Sequence, residues 1–212
     1  MSIKTILFDL DGTLLDTNEL IRKSFVHTLS LYKIPYTEAD LTEYNGPPLL
    51  DTFTSLNPEK GEEMVKEYRR FNVENHDHHV SLFPNAIETL EALKKADIKT
   101  AIVTNKMRDV AKLGLGLTGI DTYFEPEEFI SLSDVSIGKP NPEGILKAME
   151  VLGSEPSSTV IVGDSYHDIE AGQNAGIKTV GVTWSERGEE FLRSFKPTYM
   201  IRDLYELLHL IE

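Results

Sequence analysis

Five short apolar runs constrain this chain most: residues 3–8, 100–103, 129–132, 159–162 and 179–182. Each is too brief for a helix and ends at polar residues. Apolar side chains fill them without clean alternation, as in strands buried on both faces of a parallel sheet. Helical patterns lie between most of them. Residues 86–95 carry Ile87, Leu90 and Leu93 at helical spacing. Residues 142–152 open on Pro142, continue through Ile145, Met149 and Leu152, and meet Gly153 as a stop. Such alternation predicts a three-layer α/β/α sandwich around a parallel sheet.

Residues 16–84 break that rhythm and read as helices alone. Asp16 or Thr17 caps a helix running to about Tyr32. Thr37 with Asp40 has the spacing of a capping box. Asn57-Pro58 starts a long helix through Met64, Val65, Tyr68 and Phe71. The expected organisation is therefore a core of residues 1–15 and 85–212 with an α-helical insert at 16–84. The tail from 197 reads as a short strand at 199–201 and a closing helix.

Charge narrows the partners. The chain has Lys+Arg 21 against Asp+Glu 35, a formal net charge of -14. Nucleic acid and anionic membranes are poor default partners for such a chain. A small anionic substrate needs a local positive pocket or a metal. With Cys 0, disulfides, thiol catalysis and cysteine-ligated zinc are excluded. The start runs straight into Asp9 and Asp11, unlike a signal peptide. No apolar run approaches the length of a membrane span, so a cytoplasmic protein is expected.

The strongest chemical signal is Phe8-Asp9-Leu10-Asp11-Gly12-Thr13. Two carboxylates sit two residues apart where a buried strand ends, and such ends face the ligand crevice of a parallel sheet. Close carboxylates repel, so the site needs a cation or a shared proton. Mg²⁺ is the natural hard cation for oxygen ligands near phosphate. Gly163-Asp164-Ser165-Tyr166-His167-Asp168 repeats this logic at another strand end, with carboxylates at i and i+4. A helix beginning near Ser165 would return Asp168 toward the same centre, while Asp164 could simply cap that helix. Thr104-Asn105-Lys106 follows a third strand and could hold phosphate oxygens, although helix capping is its ordinary role. Gly138-Lys139-Pro140 on its own reads as an exposed loop lysine. The value of these four segments is collective, because all could meet at one edge of the sheet.

In this order the four segments resemble those of haloacid dehalogenase superfamily phosphatases with a small helical cap, over nearly the whole chain. The resemblance implies a Rossmann-like core and phosphoryl transfer. Asp9 would be the nucleophile, giving an aspartyl-phosphate. Asp11 would be the general acid, then base. Thr104 and Lys139 would hold the transferring phosphoryl group, and Asn105 would assist at the substrate. Mg²⁺ would sit on Asp9, the main-chain carbonyl of Asp11, and Asp164, with Asp168 as ligand or support. The stretches Gly46-Pro47-Pro48-Leu49-Leu50-Asp51-Thr52-Phe53, Lys106-Met107-Arg108-Asp109, Leu117-Thr118-Gly119-Ile120 and Tyr166-His167-Asp168 are similar to the PpaX-type inorganic pyrophosphatases. That narrower resemblance implies Mg²⁺-dependent hydrolysis of pyrophosphate to two phosphates. Asn141 departs from the acidic residue common after Lys-Pro in that family. Phosphoglycolate phosphatases share the core motifs, so phosphoglycolate or another small phosphate ester is the alternative substrate. A phosphomutase is a further class, and a non-catalytic phosphate-binding module is disfavoured by the intact acidic and basic set.

A second phosphate would need cations on the insert side. Lys106, Arg69, Arg70 and Arg108 are candidates, against the plain reading of solvated helix faces. Gly114-Leu115-Gly116-Leu117-Thr118-Gly119 matches G-x-G-x-x-G. It follows a helical stretch rather than a strand, so it reads as a helix stop and loop and not as a nucleotide fingerprint. His76-Asp77-His78-His79 reads as a solvated end of the insert, and Trp184 as core packing or a loop anchor.

Overall fold

The computed structural model describes residues 2–45 and 47–211. Met1, Gly46 and Glu212, which touch the readings of the start, the 46–53 segment and the tail, lie outside the described residues. The chain opens with β1 (Thr5–Phe8) and β2 (Leu15–Asp16). Helices α1 (Asn18–Leu31), α2 (Glu38–Tyr44), α3 (Leu49–Leu56) and α4 (Gly61–Asn75) follow, and β3 (Ser81–Leu82) leads back. Alternation then sets in with α5 (Ala86–Lys95), β4 (Lys99–Val103), α6 (Arg108–Thr118), β5 (Phe129–Ile130), α7 (Glu143–Leu152), β6 (Thr159–Gly163) and α8 (Tyr166–Asn174). The remaining elements are β7 (Lys178–Val182), α9 (Glu189–Ser194), β8 (Tyr199–Ile201) and a 3₁₀ turn at Leu204–Leu210.

Six strands form one parallel sheet in the order β5-β4-β1-β6-β7-β8. β1 lies at its centre, with Phe8 in register with Ile102 on one side and Val162 on the other. Period-two alternation sorts the strand side chains into two layers. Ile6, Phe8, Ile102, Val160 and Val162 pack with Leu90, Leu93, Leu115 and Leu207. Leu7, Ala101, Val103 and Ile161 pack on the other face with Ile145, Met149 and Ala171. This is the three-layer Rossmann-like sandwich, and it explains why the runs lack a clean apolar–polar alternation. Chain order reverses around β1, so the crevice at its carboxyl end is the expected ligand site.

Helices α1 to α4 share a separate apolar cluster of Phe25, Leu29, Leu41, Phe53, Met64, Val65 and Tyr68. The Thr37 capping box is present, with its hydroxyl accepting from Asp40 N at 3.2 Å. The insert region is not purely helical: β2 and β3 pair as a short antiparallel ribbon at its two ends. The helix beginning at Asn57-Pro58 was expected too early, because α4 starts at Gly61. α3 and α9 carry no side-chain cap hydrogen bond, although Asp51 and the pair Glu189 and Glu190 place acids in their first turns. The tail closes in a 3₁₀ turn rather than an α-helix.

Two further expectations are corrected. α6 runs straight through Gly114 and Gly116 and stops only at Gly119, at φ 75°. Gly114 is there for close approach: a Cβ on it would stand 2.7 Å from Leu15 Cδ1 and 3.5 Å from His76 Nε2. His76 is accordingly buried at 1% exposure, not solvated, in a 3₁₀ turn packed on α6. No helix among the described residues is long and apolar enough to cross a membrane.

Candidate active site

Asp9 is the first residue beyond β1, and its N–H still donates to Val162 O at 2.9 Å. That bond fixes the strand's end against β6 and leaves Asp9 buried at 7% exposure. Gly12 then turns the chain at φ 82°. A Cβ there would lie 2.4–2.9 Å from the Asp164 carboxylate atoms, so only glycine lets this turn rest against Asp164. Trp184 Nε1 donates to Gly12 O at 3.0 Å, and its ring packs on Phe83 at 5.5 Å. Trp184 is thus the loop anchor the sequence suggested.

Asp11 Oδ1 accepts from Thr17 Oγ1 at 2.7 Å and from Lys106 Nζ at 2.7 Å. Thr17 stands at the N-cap of α1 yet makes no side-chain cap hydrogen bond. Its hydroxyl is turned to Asp11 instead, tying the start of the helical insert to the site.

Lys139 is not an exposed loop lysine. Its side chain is 5% exposed, and Nζ donates to Asp9 Oδ1 at 2.6 Å, Asp168 Oδ1 at 2.5 Å and Val103 O at 2.8 Å. Asn105 clamps its main chain: Lys139 N donates to Asn105 Oδ1 at 2.7 Å, and Asn105 Nδ2 donates to Lys139 O at 3.0 Å. The 104–106 turn does not cap α6, whose N-cap is Met107; Thr104 Oγ1 accepts from Lys106 N at 3.1 Å. Ser165, not Asp164, caps α8, in a capping box with Asp168. Asp168 Oδ2 accepts from Ser165 N at 3.0 Å and Ser165 Oγ at 2.6 Å. Both oxygens of this fully buried carboxylate are therefore engaged.

Asp9, Asp164 and Asp168 each place a carboxylate oxygen within 4.8 Å of the others. Burial and the neighbouring Asp168 and Asp11 charges push the Asp9 carboxyl up to about 7, although Lys139 pulls it down. Burial, then Asp9 and Asp168, hold the Asp164 carboxyl well above its usual range. Burial disfavours the Lys139 charge, but Asp168 and Asp9 outweigh it and raise the Lys139 pKa. One lysine thus faces three carboxylates, leaving excess negative charge that a further cation or a proton must neutralise. A buried, all-oxygen donor set, with Gly12 packed against Asp164, fits a hard divalent cation such as Mg²⁺.

Asp9, Asp11, Thr104, Asn105, Lys106, Lys139 and Asp164 all line one cavity of about 150 Å³. The insert contributes Phe25, Tyr68, Arg69 and Asn72 to the same walls. Arg70 and Arg108 do not line it. Arg70 pairs with Glu67 at 2.6 Å and Glu74 at 2.7 Å, and Arg108 pairs with Asp134 at 2.8 Å. Lining residues that sequence reasoning missed include Tyr68, Asn72, His167 and Arg187. Helical spacing marked Tyr68 as core, and it is both core and wall. His167 lay inside a motif read only for its carboxylates, and Asn72 and Arg187 lacked a local signal. His167 is buried, and burial lowers its pKa to about 4, so it is neutral near pH 7.

The chain is similar over most of its length to known proteins. The description of haloacid dehalogenase-like hydrolases matches residues 6–182. A protein named pyrophosphatase PpaX from Oceanobacillus iheyensis is 43% identical over 211 residues, covering 100% of this chain and 98% of the relative. Another of that name from Bacillus velezensis is 46% identical over 209 residues, covering 98% and 96%. A crystal structure described as a predicted phosphoglycolate phosphatase from Haemophilus somnus superposes with a TM-score of 0.85 at 27% identity, covering 100% and 99%.

Proposed function

The chain belongs to the haloacid dehalogenase-like hydrolase family, and from that premise we propose that it hydrolyses inorganic pyrophosphate to two phosphates. The observation that carries the reading is full-length similarity, at 43% and 46% identity, to proteins named pyrophosphatase PpaX. The cavity supports it, because buried carboxylates and four cationic side chains, Arg69, Lys106, Lys139 and Arg187, face one small space.

In the proposed reaction Asp9 attacks the nearer phosphorus, forming a carboxyl–phosphorus bond as the bridging P–O bond breaks. Asp11 gives a proton to the departing oxygen, then takes one from the water that cleaves the aspartyl-phosphate and frees Asp9. Thr17 and Lys106 hold the Asp11 carboxylate in place for both transfers. Lys139 offsets the charge of Asp9 and the transferring group, Thr104 binds a phosphoryl oxygen, and Asn105 and Asp168 position Lys139. Asp9, Asp164 and the Asp11 main chain would hold Mg²⁺, with Asp168 in support. The metal would screen nucleophile from phosphate and polarise a phosphoryl oxygen. Lys106 and Arg69 are proposed to meet the second phosphate. The insert at 16–84 would act as a cap, with hinges near Asp16 and Phe83-Pro84, excluding water during transfer. A small anionic substrate in the cytoplasm, and no nucleic-acid partner, suits a chain of net charge -14.

The likeness to a protein described as a phosphoglycolate phosphatase favours an ester as the second reading. Phosphate release with Mg²⁺ from pyrophosphate, phosphoglycolate and a panel of sugar phosphates separates the two. A higher kcat/KM for pyrophosphate, lost in D9N, supports the proposal; a preference for an ester overturns it while keeping the chemistry.

A further inference from the structure

Arg187 lies on the loop between β7 and α9 and lines the cavity beside Ser185 and Glu186. The two site lysines each already pair with a carboxylate at close range, Lys139 with Asp9 and Asp168 and Lys106 with Asp11, so Lys106 can share only part of its charge with a second phosphate. The Arg187 guanidinium instead lies 4.5 Å over the Phe191 ring and 5.6 Å over the Tyr166 ring. Those rings belong to one shelf. Phe195 stacks on Tyr166 at 5.2 Å and packs on Phe191 at 5.2 Å. Aromatic faces hold a guanidinium in plane and leave its edge donors for an oxyanion. Among the described residues its one carboxylate partner is Glu43 of α2, at 3.5 Å and 68% exposed. That contact is long for an ion pair and half solvated, so a competing oxyanion displaces it at little cost.

We infer that Arg187 is a specificity residue of the core: it binds the departing phosphate of pyrophosphate, exchanging Glu43 for substrate oxygens. The inference rests on the pyrophosphate reading. A planar fork matched to two phosphate oxygens favours a charged leaving group over a neutral one, which offers it nothing to bind. A charge-assisted hydrogen bond of this kind accounts for a factor on the order of 10- to 100-fold.

The test compares wild type, R187M and R187K on pyrophosphate and phenyl phosphate with Mg²⁺, and measures inhibition by methylenediphosphonate. R187M is expected to lower the pyrophosphate-to-phenyl phosphate ratio of kcat/KM on the order of 10- to 100-fold, chiefly through KM. The inhibition constant of the diphosphonate should rise by a similar factor, and R187K should fall between, because it keeps charge but not the fork. Turnover of phenyl phosphate reports that the variants fold. An unchanged substrate ratio together with an unchanged inhibition constant overturns the inference. Wild type favouring phenyl phosphate would overturn the pyrophosphate reading instead, and the diphosphonate constant would still decide on Arg187, since it reads binding without turnover.

Discussion

Replacing Lys139 with Met tests the electrostatics of the site on stability alone. Lys139 Nζ touches Asp9 at 2.6 Å and Asp168 at 2.5 Å, and its side chain is 5% exposed. The variant keeps most of the volume but leaves two buried carboxylates without their cation. Breaking such a pair costs about 3–5 kcal/mol. At roughly 2–4 °C per kcal/mol for a chain of this size, the melting point should fall by about 6–20 °C in EDTA. The cost should also depend on pH. In the wild type burial raises the Asp9 carboxyl to about 7, above its unfolded 3.8, and Lys139 restrains that rise. A raised carboxyl binds a proton in the folded state that the unfolded chain lacks, so stability falls as pH rises until the folded pKa is passed. Without Lys139 the folded Asp9 keeps its proton to higher pH. The penalty of the variant is therefore flat below about pH 7 and grows above it, by at most about 1.4 kcal/mol per pH unit for one proton. Added Mg²⁺ should recover part of it by binding only the folded state. Chemical denaturation at pH 6, 7 and 8.5 reads all three effects. A loss below about 1 kcal/mol, or one that shrinks with rising pH, refutes the reasoning.

D11N should retain more of the first phosphorylation than of steady-state turnover, because phosphate leaves readily whereas water still needs a base. Equal losses in single-turnover and steady-state assays contradict that division. G12A should weaken Mg²⁺ binding, since φ 82° strains alanine and its Cβ would sit 2.4 Å from Asp164 Oδ2. The left-handed conformation alone costs about 1–2 kcal/mol, and Mg²⁺ titration of activity against that of wild type checks it. His167 has a folded pKa near 4, below its ordinary 6.5. Its stabilisation is therefore complete above pH 6.5 and lost as pH falls through about 4. H167Q should show a shallower loss of stability between pH 6.5 and 4 than wild type, by up to about 1.4 kcal/mol per pH unit, and identical slopes sink the assignment.

What could be read from sequence was local. The strands announced themselves because a parallel sheet covered on both faces favours short, mostly apolar runs without alternation. Even there, the run at 129–132 overshot β5, since Ser131 caps a 3₁₀ turn that already includes Leu132. Asp9, Asp11, Thr104, Lys139 and Asp164 stood at strand ends or the loops that follow them, and one cavity gathers them. What escaped depends on distant packing. Gly114 looked like a helix stop because nothing local reveals that Leu15 and His76 press against it. Lys139 looked exposed because its burial comes from Asp9, 130 residues away. Arg187 is positioned by an aromatic shelf on α8 and α9, and α9 itself has no side-chain cap. Arg70 and Arg108 had suitable charge, but nearby acids already hold them.

The proposed mechanism turns on Asp9 carrying the phosphoryl group of pyrophosphate. The most direct measurement is acid-quenched single turnover with Mg²⁺ and pyrophosphate, followed by mass spectrometry of the Asp9-containing peptide after chemical trapping. The expected result is the mark of one phosphoryl group at Asp9, formed and lost at rates consistent with turnover and absent in D9N. Rapid release of two phosphates with no label at Asp9 at any quench time, and with activity surviving in D9N, would contradict it.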